Sequence, residues 1–306
     1  MASAAEPPAG NIALVTGLSG FTGRYVAAGL EAAGYRVTGL GRDENGQRIA
    51  LEHRQQVLRA VADIAPDVVI HLAAIAHVAH GDADQIYHTN LIGTRHLLEA
   101  LAAASNTPRK VILASSANIY GHLESGALDE NAPLRPANDY AVSKLSMEYM
   151  ARLWLDRLPI VFTRPFNYTG AGQDISFLIA KIVHHFATRA PHIELGNLEV
   201  WRDFSDVRDI ARAYVALVDR GVAGEAYNLC SGMAWSLKEV LAAMEQIAGF
   251  ALPVHVNPAL VRSNEVRRLI GSPARLEHCI GPQTRIPFAD TLRWMYDSAR
   301  AAPPAG

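Results

Sequence analysis

Short β-branched runs alternate with amphipathic stretches through the first half of the chain. Residues 11–16 (Asn-Ile-Ala-Leu-Val-Thr) read as a buried strand, and residues 21–33 as a helix closed by Gly34. A second strand is expected at 36–40, a third at 67–72 behind Pro66, and a fourth at 110–114. Helical periodicity fills the gaps near 52–64, 90–104 and 140–155. Strands that are apolar throughout must be covered on both faces, and strand–helix repetition makes them parallel. With right-handed crossovers, the pattern predicts an α/β fold built on a doubly wound parallel sheet. After Thr163 the pattern loosens. Helical stretches at 177–188, 207–218, 237–248 and 290–300 are separated by short strands and Pro/Gly punctuation.

The first candidate chemistry sits between the first strand and the first helix, in Thr16-Gly17-Leu-Ser19-Gly20-Phe21-Thr22-Gly23. Glycines at this spacing permit a tight turn, a close backbone approach to a pyrophosphate, and close helix–strand packing. The helix N-terminus adds free N–H groups and the positive end of its dipole. The strand–turn–helix context turns a weak glycine pattern into a dinucleotide-binding loop. An acid at the end of the second strand would hold a ribose 2′-hydroxyl, the mark of NAD. The chain instead reads Gly39-Leu-Gly41-Arg42, and a guanidinium suits a 2′-phosphate. NADP(H) is therefore favoured, with NAD(H) possible because Asp43 follows directly. The expected organisation is a dinucleotide-binding domain over 11–165 and a smaller substrate-binding α/β cap over 166–300, whose segments can interleave with the sheet.

A second pattern supplies proton chemistry. Tyr140-Ala-Val-Ser-Lys144 places a phenol and an ammonium on one helix face. The cation is expected to lower the phenol's pKa toward neutrality, readying it to exchange a proton with an alcohol or carbonyl oxygen. Ser115 and Ser116 follow the fourth strand, where a hydroxyl would hold the same substrate oxygen.

Composition narrows the classes. Of 306 residues 50% are apolar and 19% charged, and the net charge is −2, so there is no basic field for a nucleic acid. Two distant cysteines, Cys230 and Cys279, suit a reducing compartment. Residues 1–10 lack the cationic and apolar regions of a signal peptide, and the apolar run 68–79 is too short to span a bilayer. A cytoplasmic protein without membrane partners is expected. His71, His77, His80 and His88 crowd one segment, but no acid or thiol stands at ligand spacing. No metal is expected, and the segment reads as a loop lining the substrate site.

The motifs above, with His71-Leu72-Ala73-Ala74, the run 113–121, and Arg164-Pro-Phe-Asn167, resemble in order and spacing the extended short-chain dehydrogenase/reductases of the nucleotide-sugar epimerase/dehydratase type. The likeness runs from about residue 11 to 300 and implies a Rossmann sheet. It implies Ser116, Tyr140 and Lys144 as the catalytic set, with Tyr140 the acid/base and Lys144 on the nicotinamide ribose. Cofactor contacts are implied for Gly17, Ser19, Gly20, Phe21, Thr22, Gly23, Arg42, Leu72, Ala73, Ala74 and Asn90. The adenine-contacting Asp of the family is missing, since Leu51-Glu52-His53 stands there.

The segments 164–170, 177–182, 195–198 and 262–266 are similar to GDP-mannose dehydratases and GDP-4-dehydro-6-deoxymannose reductases. They imply substrate contacts from Asn167, Lys181, Asn197, Arg202, Arg262 and Glu265. The two arginines can grip a diphosphate as bidentate forks, Glu265 can accept from guanine or ribose, and Lys181 can meet a base carbonyl. Dehydratases of this type carry a Glu two positions after the catalytic hydroxyl. Here that residue is Asn118, which cannot act as a base. The expectation is NADPH-dependent reduction of the 4-keto group of a GDP-linked 4-keto-6-deoxyhexose. A 4-epimerase or reductase on a dTDP-linked 6-deoxy sugar is the alternative, and a catalytically silent dinucleotide-binding scaffold the reading from another class. A homodimer is expected, joined through the helix at 90–104, whose outer side would carry Leu91, Leu98 and residues 102–104.

Overall fold

The computed structural model describes residues 11–76, 82–121, 126–260 and 268–301. β1 (Ile12–Thr16) leads through the glycine loop into α1 (Phe21–Ala32), then β2 (Arg36–Thr38), α2 (Arg54–Ile64) and β3 (Val68–His71). A short α3 (Ala83–Tyr87) and a wide π-type turn at His88–Gly93 precede α4 (Thr94–Ala103) and β4 (Lys110–Ala114). α5 (Asp139–Arg152) and β5 (Ile160–Pro165) complete the first half. These strands join a parallel sheet in the order β2-β1-β3-β4-β5-β9, its last member contributed from the second half.

Alternate residues of each strand face opposite layers. Ala13, Val15, Val68, Ile70, Ile112 and Val161 pack toward α1 on one side. Leu14, Val69, Val111, Leu113, Ile160 and Phe162 pack toward α2, α4 and α5 on the other. This doubly wound sheet confirms the fold expected from the apolar strands.

The second half runs β6 (Asn167–Thr169), α6 (Leu178–Ala187), β7 (Ile193–Leu195), β8 (Trp201–Asp206), α7 (Val207–Arg220) and β9 (Ala226–Leu229). It continues through β10 (Ala234–Ser236), α8 (Leu237–Ala248), β11 (Val254–Val256), β12 (Arg268–Leu269), α9 (Ala274–Ile280) and α10 (Phe288–Ala301). β9, α7 and α9 return to the large sheet. The short strands β6, β8, β10 and β12 form a second sheet, and α6, α8 and α10 build a core around Phe186, Met244 and Leu292.

Two local expectations are corrected. Leu98 is fully buried between α4 and the sheet, so it is not part of an outer face. The helix expected to reach residue 155 ends at Arg152, and Trp154 and Leu155 fold back onto the core as a turn. No helix among the described residues is long and apolar enough to cross a membrane.

Candidate active site

The chain steps from β1 to β2 on one side and then crosses to β3 on the other, so the strand order reverses between β1 and β3. Ligands of such sheets bind beyond the carboxyl ends at this reversal. The glycine loop leaves β1 there and residues 72–74 leave β3. Gly17 adopts φ +73°, and a Cβ on it would sit 3.0 Å from the Ala73 nitrogen. A Cβ on Gly23 would come 2.2 Å from the Gly17 carbonyl oxygen. The bare backbone is therefore required, and the loop fits a pyrophosphate at the start of α1.

A buried chain of hydrogen bonds supports this loop. Thr16 Oγ1 accepts the Ala73 N–H at 3.2 Å and lies 2.6 Å from His71 Nδ1. His71 Nε2 lies 2.8 Å from Thr94 Oγ1, which donates its own hydrogen to the Asn90 carbonyl at 2.7 Å. The network assigns the tautomer: Thr94 must accept, so His71 carries its proton on Nε2 and receives the Thr16 hydroxyl at Nδ1. Burial, helped by the Lys144 charge, pushes the His71 pKa down to about 3. His71 is thus a fixed neutral strut, not a lining of the substrate site. His77 and His80 lie outside the described residues, and no metal-binding cluster occurs among those described.

The chain continues toward the proton-transfer residues. Asn90 accepts Ile75 N–H at 2.9 Å and donates to the Ile75 carbonyl and to Ser143 Oγ, which donates to the Tyr140 carbonyl. Its amide is committed to shaping the loop after β3 and seating α5.

Asn138 caps α5, accepting Ala141 N–H at 2.9 Å, and this sets the helical phase of Tyr140, Lys144 and Glu148. Ser116 follows β4 and caps the turn Ala117–Tyr120 by accepting Asn118 N–H at 3.2 Å. Its hydroxyl lies beside the Tyr140 phenol, where it favours the phenolate. Ser116, Tyr140 and Lys144 are thereby brought to one place. Lys144 is buried, and its Nζ donates to the Ala114 carbonyl at 2.7 Å.

The expected lowering of the phenol pKa is not found. Burial pushes Tyr140 up to about 12 against the small opposing effect of Ser116. Burial also draws Lys144 down to about 8, with Glu148 resisting. The phenol is consequently a protonated donor near neutral pH. Glu148 is itself held by both forks of Arg164, at 3.0 and 2.8 Å, in a buried ion pair. Arg164 also donates to the Tyr120 hydroxyl and the Glu130 carbonyl.

Across the site, Thr22 Oγ1 meets the half-buried Tyr168 hydroxyl at 2.7 Å, and Phe21 stacks on Tyr168. Tyr168 was missed in the sequence although it adjoins Asn167. Among the described residues two buried polar atoms have no partner, Ser115 Oγ and Asn167 Nδ2. A polar ligand beyond the strand ends is what such groups await.

The remaining sequence-selected residues are more dispersed. Lys181 donates to the Glu194 carbonyl, Asn197 accepts Glu199 N–H, and Arg202 on β8 donates to the Trp201 carbonyl. Arg262 and Glu265 lie outside the described residues. Arg42 is turned onto its own hairpin, donating to the Gly46 carbonyl at 2.5 Å. The arginine that touches the glycine loop is Arg48, which donates to Ser19 Oγ at 2.9 Å.

A doubly wound sheet with a glycine loop at its reversal point and a Ser–Tyr–Lys set beside it defines an NAD(P)-dependent enzyme of the short-chain dehydrogenase/reductase type. Residues 13–230 match the model of the NAD dependent epimerase/dehydratase family, and the chain belongs to it. It is 36% identical to a GDP-6-deoxy-D-mannose reductase of Pseudomonas aeruginosa, over 91% of this chain and 94% of that protein. A putative epimerase from Burkholderia cenocepacia superposes with TM-score 0.91 at 49% identity, over 97% of this chain and 100% of the other. The structure titled RMD from Pseudomonas aeruginosa complexed with NADPH superposes with TM-score 0.85 at 33% identity, covering 95% and 99%.

Proposed function

We propose that this protein reduces the 4-keto group of a GDP-linked 4-keto-6-deoxyhexose with NADPH, as a step in deoxysugar synthesis. The observation that carries the reading is the pairing of a protonated Tyr140 beside Ser116 with an amide at Asn118. Such a site can donate a proton to a carbonyl oxygen but lacks a carboxylate two residues after Ser116 to draw a proton from carbon. Bound NADPH would supply the hydride for the sugar C4, and Tyr140 is the group that would protonate O4. The proton lost is the phenolic one, and Ser116 holds the same oxygen. Lys144 contributes a charge at the ribose. The relative that acts on a GDP-6-deoxysugar supports the nucleotide.

Asn167, with its unpartnered Nδ2, and Asn197 are proposed to contact the substrate, Arg202 and Arg262 its diphosphate, Glu265 its guanine or ribose, and Lys181 a base carbonyl. A bound nucleotide sugar would draw Lys181 and Arg202 from the carbonyls they now hold. The cytoplasm is the proposed compartment and a homodimer the proposed assembly. The exposed Tyr149 (61%) and Leu153 (79%) at the end of α5 are apolar surface such a contact would cover.

The test mixes the purified protein with NADPH and GDP-4-dehydro-6-deoxymannose and follows the loss of reduced-nicotinamide absorbance. Stoichiometric oxidation with formation of a GDP-6-deoxyhexose is expected. The epimerase reading is favoured by the similarity to a putative epimerase. Interconversion of C4 epimers without net NADPH consumption would put it ahead. Greater thermal stabilisation by dTDP than by GDP would overturn the GDP assignment.

A further inference from the structure

We infer that Arg48, not Arg42, is the principal residue by which this protein selects a cofactor bearing a 2′-phosphate. The inference rests on the NADPH reading above, but not on the identity of the sugar nucleotide. Its starting point is the segment after β2, where Arg42 and Arg48 stand opposite each other in an antiparallel bridge. The hairpin between them is closed by Asp43, whose Oδ1 accepts the N–H groups of Asn45 and Gln47 at 3.0 and 2.9 Å. Asp43 Oδ2 accepts Gln56 Nε2 at 3.3 Å. The Asp43 carboxylate, which directly follows Arg42, is therefore committed to the hairpin and to α2.

The two arginines differ in what they reach. Arg42 Nη1 donates to the Gly46 carbonyl, which keeps its guanidinium over its own turn. Arg48 Nη1 donates to Ser19 Oγ, which fixes the other guanidinium against the glycine loop. In a doubly wound sheet the pyrophosphate lies on that loop and the adenosine ribose lies beyond the tip of the second strand. Arg48 spans those two places. Both arginines are exposed, and neither forms an ion pair with a carboxylate among the described residues. A planar, permanently charged fork held there suits the bidentate capture of a phosphate monoester on the ribose.

The test measures dissociation constants for NADPH and NADH by fluorescence titration on wild type, Arg48→Gln and Arg42→Gln, with no sugar nucleotide present. Arg48→Gln is expected to weaken NADPH by at least about tenfold and leave NADH within about twofold. Arg42→Gln is expected to weaken NADPH by no more than about threefold. In competition, 2′,5′-ADP should lose its advantage over 5′-ADP in Arg48→Gln alone. Equal weakening of both cofactors by Arg48→Gln would mean that Ser19 and the loop have been disturbed, and would overturn the assignment. So would a larger NADPH loss in Arg42→Gln than in Arg48→Gln, or tighter NADH binding by wild type. Selective NADPH loss in a protein inactive on GDP-4-keto sugars would uphold Arg48 while refuting the proposed reaction.

Discussion

Acidification should destabilise this protein through one buried side chain, His71. The imidazole is locked neutral between Thr16 and Thr94, and burial pushes its pKa down to about 3, against about 6.5 in an unfolded chain. A base whose folded pKa is depressed contributes stability that is whole above its unfolded value and is lost as pH falls toward the folded one. Between pH 7 and 5 the unfolded chain takes up about 0.7 of a proton at this residue while the folded protein takes up almost none. The linkage relation gives a loss of about 2 kcal/mol over that interval. For a chain of this size the unfolding entropy is about 0.6 kcal/mol per degree, so Tm should fall by about 3 °C from this residue alone.

Other buried groups also contribute to the acid response. Burial raises the carboxyl pKa values of Asp203 and Asp209. The informative quantity is therefore the difference between wild type and His71→Asn, each melted at pH 7 and pH 5. The variant is expected to be less stable at pH 7, because asparagine cannot reach both threonines, yet to lose about 2 kcal/mol less on acidification. Nitrogen NMR of the wild type should show one neutral Nε2–H tautomer down to pH 5. Parallel pH dependence in both proteins, or an imidazolium signal in the folded wild type at pH 5, would refute the argument.

Tyr140→Phe should lower turnover by about 10²–10⁴-fold with NADPH affinity nearly unchanged, since only the donated proton is lost; paired kinetics and titration check this. NADPH affinity should decline as pH rises through about 8, where Lys144 loses its charge. Glu148→Gln should move that decline to lower pH, because the carboxylate now holds the Lys144 pKa up. It should also cost about 3–5 kcal/mol in denaturant melts by leaving Arg164 buried and unpaired. Gly23→Ala should weaken NADPH and NADH alike by more than about tenfold in the same titration, since its methyl would enter the Gly17 carbonyl.

What the sequence made legible follows from the range over which each feature acts. β1, β3 and β4 are visible because a strand buried on both faces is apolar at nearly every position, and the glycine loop because each constraint falls within a few residues. The spacing of Tyr140 and Lys144 is likewise local to one helix. The three-residue strands of the cap carry too few positions to show a period, and β12 has only two. The range also explains the wrong expectation for Tyr140. Helical spacing placed a cation beside the phenol, but the cost of burial comes from every element packed around the site. That cost outweighs the lysine, whose ammonium is turned toward the Ala114 carbonyl of the neighbouring strand.

The polar chain behind the site was invisible for the same reason. His71 sits in an apolar strand, which marks it as buried, but its partners lie 55 and 23 residues away. No spacing rule links Thr16, His71, Thr94, Asn90 and Ser143. Only the pairing of β1 with β3, and the packing of α4 and α5 on the sheet, bring them into line. Once aligned, each hydroxyl has one hydrogen to give, so the direction of every bond between Ala73 and the Asn90 carbonyl is determined. From Asn90 the side-chain amide carries the connection to Ser143 and the Tyr140 carbonyl. The loop that would hold the cofactor phosphates and the helix that carries the proton donor are thus tied by buried, satisfied groups. Such groups are costly to break singly, because the partner left behind stays desolvated. The rigidity of the site accordingly resides in residues that touch neither cofactor nor substrate.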